Sequence, residues 1–173
     1  MFDTIFGLPV HPLVVHATVV IVPAAAGAVA LAAASRRFRA WAGFLPLLLS
    51  AAAVVLVPIS TASGEALEKH VAKSALLKTH TQIAEGLLLP VLVLLVAAAA
   101  LFWVQRKESA QPADAAHAPA VVPRAALGVI VALSALAVIG TTVQVARIGH
   151  SGAKAAWSDV VTQNTGGGEA SSK

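Results

Sequence analysis

The sequence predicts an all-α integral membrane four-helix bundle, built as two transmembrane hairpins with a short amphipathic surface helix between spans 2 and 3. Three observations carry that expectation. Hydrophobic residues make up 58% of the 173 and charged residues only 12%, against about 45–50% and about 25% in soluble domains. The mean hydropathy is +0.82. Four runs, at 13–34, 40–60, 83–104 and 125–146, each supply the roughly 20 apolar residues that a bilayer crossing takes. The runs are continuously apolar, whereas transmembrane strands alternate apolar and polar residues.

The elements follow in order. Residues 1–10 carry Asp3 and neither Lys nor Arg. A secretory leader needs a basic start, so the first run reads as a retained span. Arg36, Arg37 and Arg39 follow it in a tight basic turn at 35–39, and the second span is uncharged. The third contains only Glu85, near its start, and is followed by Arg106 and Lys107; the fourth runs into Arg147. Pro23, Pro46, Pro58 and Pro90 predict kinks in three helices, which a bundle tolerates when neighbours satisfy the freed carbonyls. Ala26, Ala30 and Ala34 are spaced for close helix approach, unless the alanine content merely reflects genome composition. In 61–81, Leu67, Val71, Ser74 and Leu77 share a stripe and Glu65 can pair with Lys69. With Ser63 as N-cap, this is the predicted surface helix. The Ala/Pro-rich stretch 108–123 reads as a flexible linker. Residues 1–162 form one domain and 163–173 a Gly/Ser-rich disordered tail.

The net charge of +4 sits at the ends of apolar runs, so the expected partner is the lipid bilayer and not nucleic acid. Arg36, Arg37, Arg39, Arg106, Lys107 and Arg124 fall on one side, close against helix ends, where the positive-inside rule counts most. Lys69, Lys73, Lys78, Arg147, Lys154 and Lys173 fall on the other. The expectation is a multi-pass plasma-membrane protein with both termini extracytoplasmic. Trp41 and Trp103 then mark the inner interface, and Phe2, Phe6 and Trp157 the outer one.

The chain has no cysteine, no tyrosine and Met1 as its sole methionine. Thiolate chemistry, iron–sulfur ligation and covalent haem attachment are excluded. Histidine is the remaining soft ligand. Of six histidines, two hairpins place His11, His16, His70, His80 and His150 on one face and only His117 on the other. His11 precedes Pro12 and is expected to be extended. His16 lies about 6 Å down the first helix, His80 at the mouth of the third span and His150 at the end of the fourth. Gln144, Arg147 and His150 form one stripe, with Glu85 nearby and positioned to pair with Arg147. His70 reads as solvated and His117 as linker.

Three readings of His16, His80 and His150 stand side by side. One is haem b held by two histidines from two helices. Another is a zinc or copper site in which His11 and Glu65, Glu68 or Glu85 help complete the shell. The third is structural, with interfacial histidines bonding helix ends. No catalytic residue is assigned: the glycine tract at 166–168 lacks strand or helix context, no Gly-x-Ser-x-Gly elbow occurs, and His11 and His16 are five apart and not four. The pairs His16-Ala-Thr and His80-Thr-Gln hint that the hairpin is duplicated.

At His11-Pro-Leu-Val-Val-His16 the chain resembles a bacterial family of small membrane proteins, domain of unknown function 2231. Members show four spans, a His-Pro…Val-His motif opening the first (His11, Pro12, His16), a histidine opening the third (His80), and a Gly/His segment closing the fourth (Gly149-His150-Ser151-Gly152). The resemblance spans roughly 8–157 and implies fold and membrane location. Its histidine pattern is similar to that of membrane b-type cytochromes, an analogy between patterns. The leading functional expectation is a redox or metal-handling module with His16 and His80 as ligands, His150 as a third, and electron-transfer proteins as partners. The alternatives are a non-catalytic subunit or scaffold that packs against a larger membrane complex through small-residue faces, and a proton or cation pathway through Glu85; a second copy of the chain, in a homo-oligomer, is a further expected partner.

Overall fold

The computed structural model describes residues 4–5, 8–69, 74–111 and 122–166. A short antiparallel ribbon, β1 (Thr4–Ile5) with β2 (Leu8–Pro9), pairs Thr4 with Pro9 and Ile5 with Leu8. Six helices follow: α1 (Val10–Ala34), α2 (Arg36–Ala42), α3 (Leu45–Glu68), α4 (Ala75–Glu85), α5 (Leu88–Ser109) and α6 (Arg124–Gly166). Four segments are long and apolar enough to cross a membrane: α1, α3, α4 together with α5, and α6 as far as Trp157. The predicted bundle of two hairpins is therefore the fold.

The helix ends differ from expectation, each for a local reason. The chain is already helical at Val10, so His11 is not extended. Pro12 falls in the first turn, where its missing N–H would have had no intrahelical partner anyway. The basic turn is itself a helix: the Ser35 side chain accepts from Phe38 N at 3.2 Å and caps α2. Gly43, at φ 55°, reverses the chain into α3, a conformation that disfavours any residue with a Cβ. Span 2 then runs on to Glu68, so Ser63 is a buried residue within α3 and not an N-cap. The short helix between spans 2 and 3 is α4, which starts at Ala75 and not near Ser63, and is capped by the Ser74 hydroxyl accepting from Leu77 N at 3.1 Å. Of its predicted stripe, Val71 lies outside the described residues, as do His70, His117, Phe2 and Phe6. α6 remains helical to Gly166, four residues into the predicted tail.

Pro23 and Pro58 sit inside α1 and α3, whereas Pro46 opens α3 and needs no bond there. Pro90 lies in the first turn of α5, just past a break at Gly86–Leu87 that separates α4 from α5. α1 packs on α3 and α6, α5 packs on the same two helices, and α1 meets α5 across the diagonal. One core cluster holds Ala25, Ala26, Val29, Ala32, Leu94, Ala97, Ala98, Leu101 and Ala137. A second, nearer the histidines, holds Val22, Ala53, Val57, Leu87 and Val91. The close-packing alanines of α1 are thus Ala25, Ala26, Ala28 and Ala32. Of the predicted trio only Ala26 is buried. Ala30 and Ala34 line a shallow apolar groove against Val131, Ala135 and Ile139 of α6.

Three buried hydroxyls bond their own helix four residues back: Thr18 to the Val14 carbonyl at 2.8 Å, Ser50 to that of Pro46 at 2.8 Å and Ser134 to that of Ile130 at 2.7 Å, whereas the buried Thr141 hydroxyl has no partner among the described residues. At the end opposite the histidines, Arg39 bridges α2 to α5 through Glu108. Trp41 and Trp103 lie exposed at that end, with the Lys107 ammonium 5.9 Å from the Trp103 ring centre.

Candidate functional site

The first turn of α1 sets His11 against α3. Its Nδ1 lies 3.0 Å from Ser63 Oγ. The Ser63 hydroxyl proton is already directed to the Ser60 carbonyl at 2.9 Å, and the His11 ring also reaches that carbonyl. A carbonyl only accepts, so a proton on Nδ1 would satisfy both contacts and would leave Nε2 available.

α4 sets His80 against α6 in the same way. His80 Nδ1 lies 3.0 Å from Ser151 Oγ, whose hydroxyl donates to the Ile148 carbonyl at 3.0 Å. Behind each serine comes a glycine. A Cβ on Gly64 would stand 3.0 Å from His11 Cε1, and one on Gly152 would stand 3.1 Å from His80 Cε1. Both rings therefore rest directly on helix backbone. The His80 ring is within electrostatic reach of His11, although the two arrive from different hairpins.

The other predicted residues do not join this pair. His16 is exposed, its Nδ1 donating to the Pro12 carbonyl of its own helix. Five residues beyond His11, it is turned about 140° around α1. His150 is exposed beside Ser151. Glu85 and Arg147 are both exposed and, among the described residues, form no ion pair with one another. No three His, Asp or Glu side chains among the described residues converge as a metal site would require.

Gln144 has a different role. Its Nε2 donates to the Ile83 carbonyl at the α4–α5 break. A Cβ on Gly86 would stand 2.8 Å from that nitrogen, so the amide fills the space a side chain would need. Gly86→Ala is expected to displace the amide and lose one hydrogen bond, about 1 kcal/mol. The penalty should shrink in a Gln144→Ala background; equal penalties in both backgrounds, read from thermal unfolding in detergent, would refute the link.

Sequence reasoning missed Ser63, Gly64, Ser151 and Gly152 as site residues. The available signal was a Ser-Gly dipeptide near the end of each second arm. In the sequence Ser63 has the chemistry of a cap, and Ser151-Gly152 is simply part of the segment that closes the fourth span.

The family model described as Predicted membrane protein (DUF2231) matches residues 7–165. The chain belongs to this family. The match takes in both Ser-Gly dipeptides, His11, His80 and all four candidate spans. No curated protein and no solved structure is significantly similar to this DUF2231 chain.

Proposed function

We propose that this membrane protein binds a redox-active or metal-centred group, haem b foremost, through His11 and His80. The observation that carries the reading is the matched pair of imidazoles, each with Nδ1 3.0 Å from a serine oxygen whose own proton is directed to a helix carbonyl. Ligating histidines in general have the other ring N–H fixed by an acceptor, which sets the tautomer and raises basicity. The donor set suits haem b, which takes two axial imidazoles. It suits zinc poorly, since that ion wants three or four protein ligands and no third donor converges among the described residues. Copper remains the second candidate, because imidazole suits it. Lys78, Arg147 and Lys154 stand at the same end of the sequence-defined bundle and can offset propionate charge. Bound haem would supply one-electron transfer to a membrane or electron-transfer partner.

The arginine-rich end belongs in the cytoplasm by the positive-inside rule, which puts the histidine pair and both termini outside the plasma membrane. A proton pathway through Glu85 finds less support, because that carboxylate faces out of the bundle.

Absorbance of the detergent-purified protein, oxidised and dithionite-reduced, with elemental analysis of the same sample, tests the assignment. A Soret band that shifts on reduction is expected. His11→Ala and His80→Ala should each remove it, and His16→Ala should keep it. Neither Soret band nor stoichiometric metal, in protein made with haem and metals supplied, would refute the function. Loss in His16→Ala with retention in His11→Ala would refute the ligand choice.

A further inference from the structure

The two histidine cradles are copies of each other, and the rest of each hairpin repeats with them. When His11 is set on His80, Val22, Ala25, Ala28, Val29 and Ala32 of α1 fall on Val91, Leu94, Ala97, Ala98 and Leu101 of α5, and all ten are buried. When Ser63-Gly64 is set on Ser151-Gly152, buried Pro46 and Ala53 of α3 fall on buried Ser134 and Thr141 of α6. The helix contacts obey the same relation. α1–α3 answers to α5–α6, α1–α6 answers to α3–α5, and α1–α5 spans the diagonal. Both hairpins enter from the same end, so the repeat is parallel and its pseudo-two-fold axis runs along the bundle. The residue correspondence differs from the one suggested by His16-Ala-Thr and His80-Thr-Gln. His16 corresponds instead to Glu85, and both are exposed. The repeats therefore differ at this outward position and share burial at the positions named above.

We infer that the site is a two-fold composite of two His–Ser–Gly half-sites, in which Ser63 and Ser151 are equivalent positioning residues that hold His11 and His80 in the Nδ1–H tautomer for a group coordinated by one imidazole from each hairpin. The distances agree half by half: 3.0 Å from Nδ1 to Oγ in both, 2.9 and 3.0 Å from Oγ to its own helix carbonyl, and 3.0 and 3.1 Å from the glycine Cβ position to Cε1. The identity of the group rests on the reading proposed above; the positioning role does not.

The test therefore has two readouts. In apo protein labelled with 15N-histidine, resonances assigned by single substitutions should show Nδ1–H tautomers for His11 and His80. Ser63→Ala should disturb His11 alone and Ser151→Ala His80 alone. Ser→Thr, which restores the hydroxyl, should recover each tautomer. Hemin titrated into the same apo proteins should bind about 10- to 100-fold more weakly in either alanine variant, with similar losses for the two, while helical circular dichroism stays at the wild-type level. Unchanged tautomers would overturn the positioning role. A loss confined to one serine would overturn the equivalence of the halves. Failure of wild-type protein to bind hemin would overturn the haem assignment, and the resonances of the apo protein would still decide the positioning role.

Discussion

Arg39→Ala is expected to destabilise the bundle by about 3 kcal/mol or more, the range for stripping one partner from a buried pair. Arg39 is 5% exposed. Its Nη2 lies 3.0 Å from Glu108 Oε1 and its Nε 3.3 Å from Oε2, a two-pronged contact. Its Nη1 donates to the Ala32 carbonyl, one of the last of α1. One side chain thus closes the end of the first span, anchors α2 and ties both to α5. Alanine would leave Glu108, at 19% exposure, with the exposed Arg36 at 3.6 Å as its one cationic partner among the described residues. It would also leave the Ala32 carbonyl without that donor.

The variants around it separate charge from geometry. Arg39→Lys keeps the charge but cannot make the fork, so it should recover only part of the loss. Exchanging both partners for apolar residues, Arg39→Met with Glu108→Leu, should come closer to wild type than either single change, because it leaves no uncompensated charge. Arg36→Ala is the control, since its side chain is 68% exposed and exposed pairs contribute little. Thermal unfolding in detergent reads all of these variants. Equal losses for Arg36→Ala and Arg39→Ala would refute the anchoring role.

Neither this contact nor the histidine pair was legible in the sequence, although the spans were. Long uninterrupted apolar runs state their own structure, because no water is present to satisfy an open backbone and only helices remain. Which face of a helix turns inward is a separate question. In a soluble bundle the apolar stripe answers it. α1 is apolar nearly all round, since lipid and core are equally greasy, and so the sequence does not show that His11 faces α3 while His16 faces out. Ranking His16, His80 and His150 by depth sets them at one end of the chain's hairpins, but it does not show that His16 and His150 are exposed while His11 is held against α3. Depth follows from rise per residue, whereas facing depends on helix rotation, which packing decides. The helix ends were obscured similarly. Ser63 has the chemistry of an N-cap, and only its burial within α3 shows it to be the acceptor for a side chain 52 residues away.

The alanines offer a sharper trial of what packing decides. Ala97→Leu should destabilise the bundle by about 1–3 kcal/mol, the usual cost of overfilling a packed core, whereas Ala99→Leu should change little. Ala97 is 0% exposed in the cluster with Ala25, Val29, Leu94 and Ala137. Ala99, two residues on, is exposed on the outer face of the same helix. In water a new leucine would recover some of its cost through burial of apolar surface. Within a bilayer lipid tails are as apolar as leucine, so helix association depends on close packing. Only the steric term then remains at Ala97, where α1 and α5 meet across the diagonal. At Ala99 the larger side chain simply displaces lipid. Were the alanine content a matter of genome composition alone, the two substitutions would be tolerated alike. Unfolding midpoints that separate them would show that these small side chains set the distance between the two hairpins, and with it the spacing of the histidines each hairpin carries.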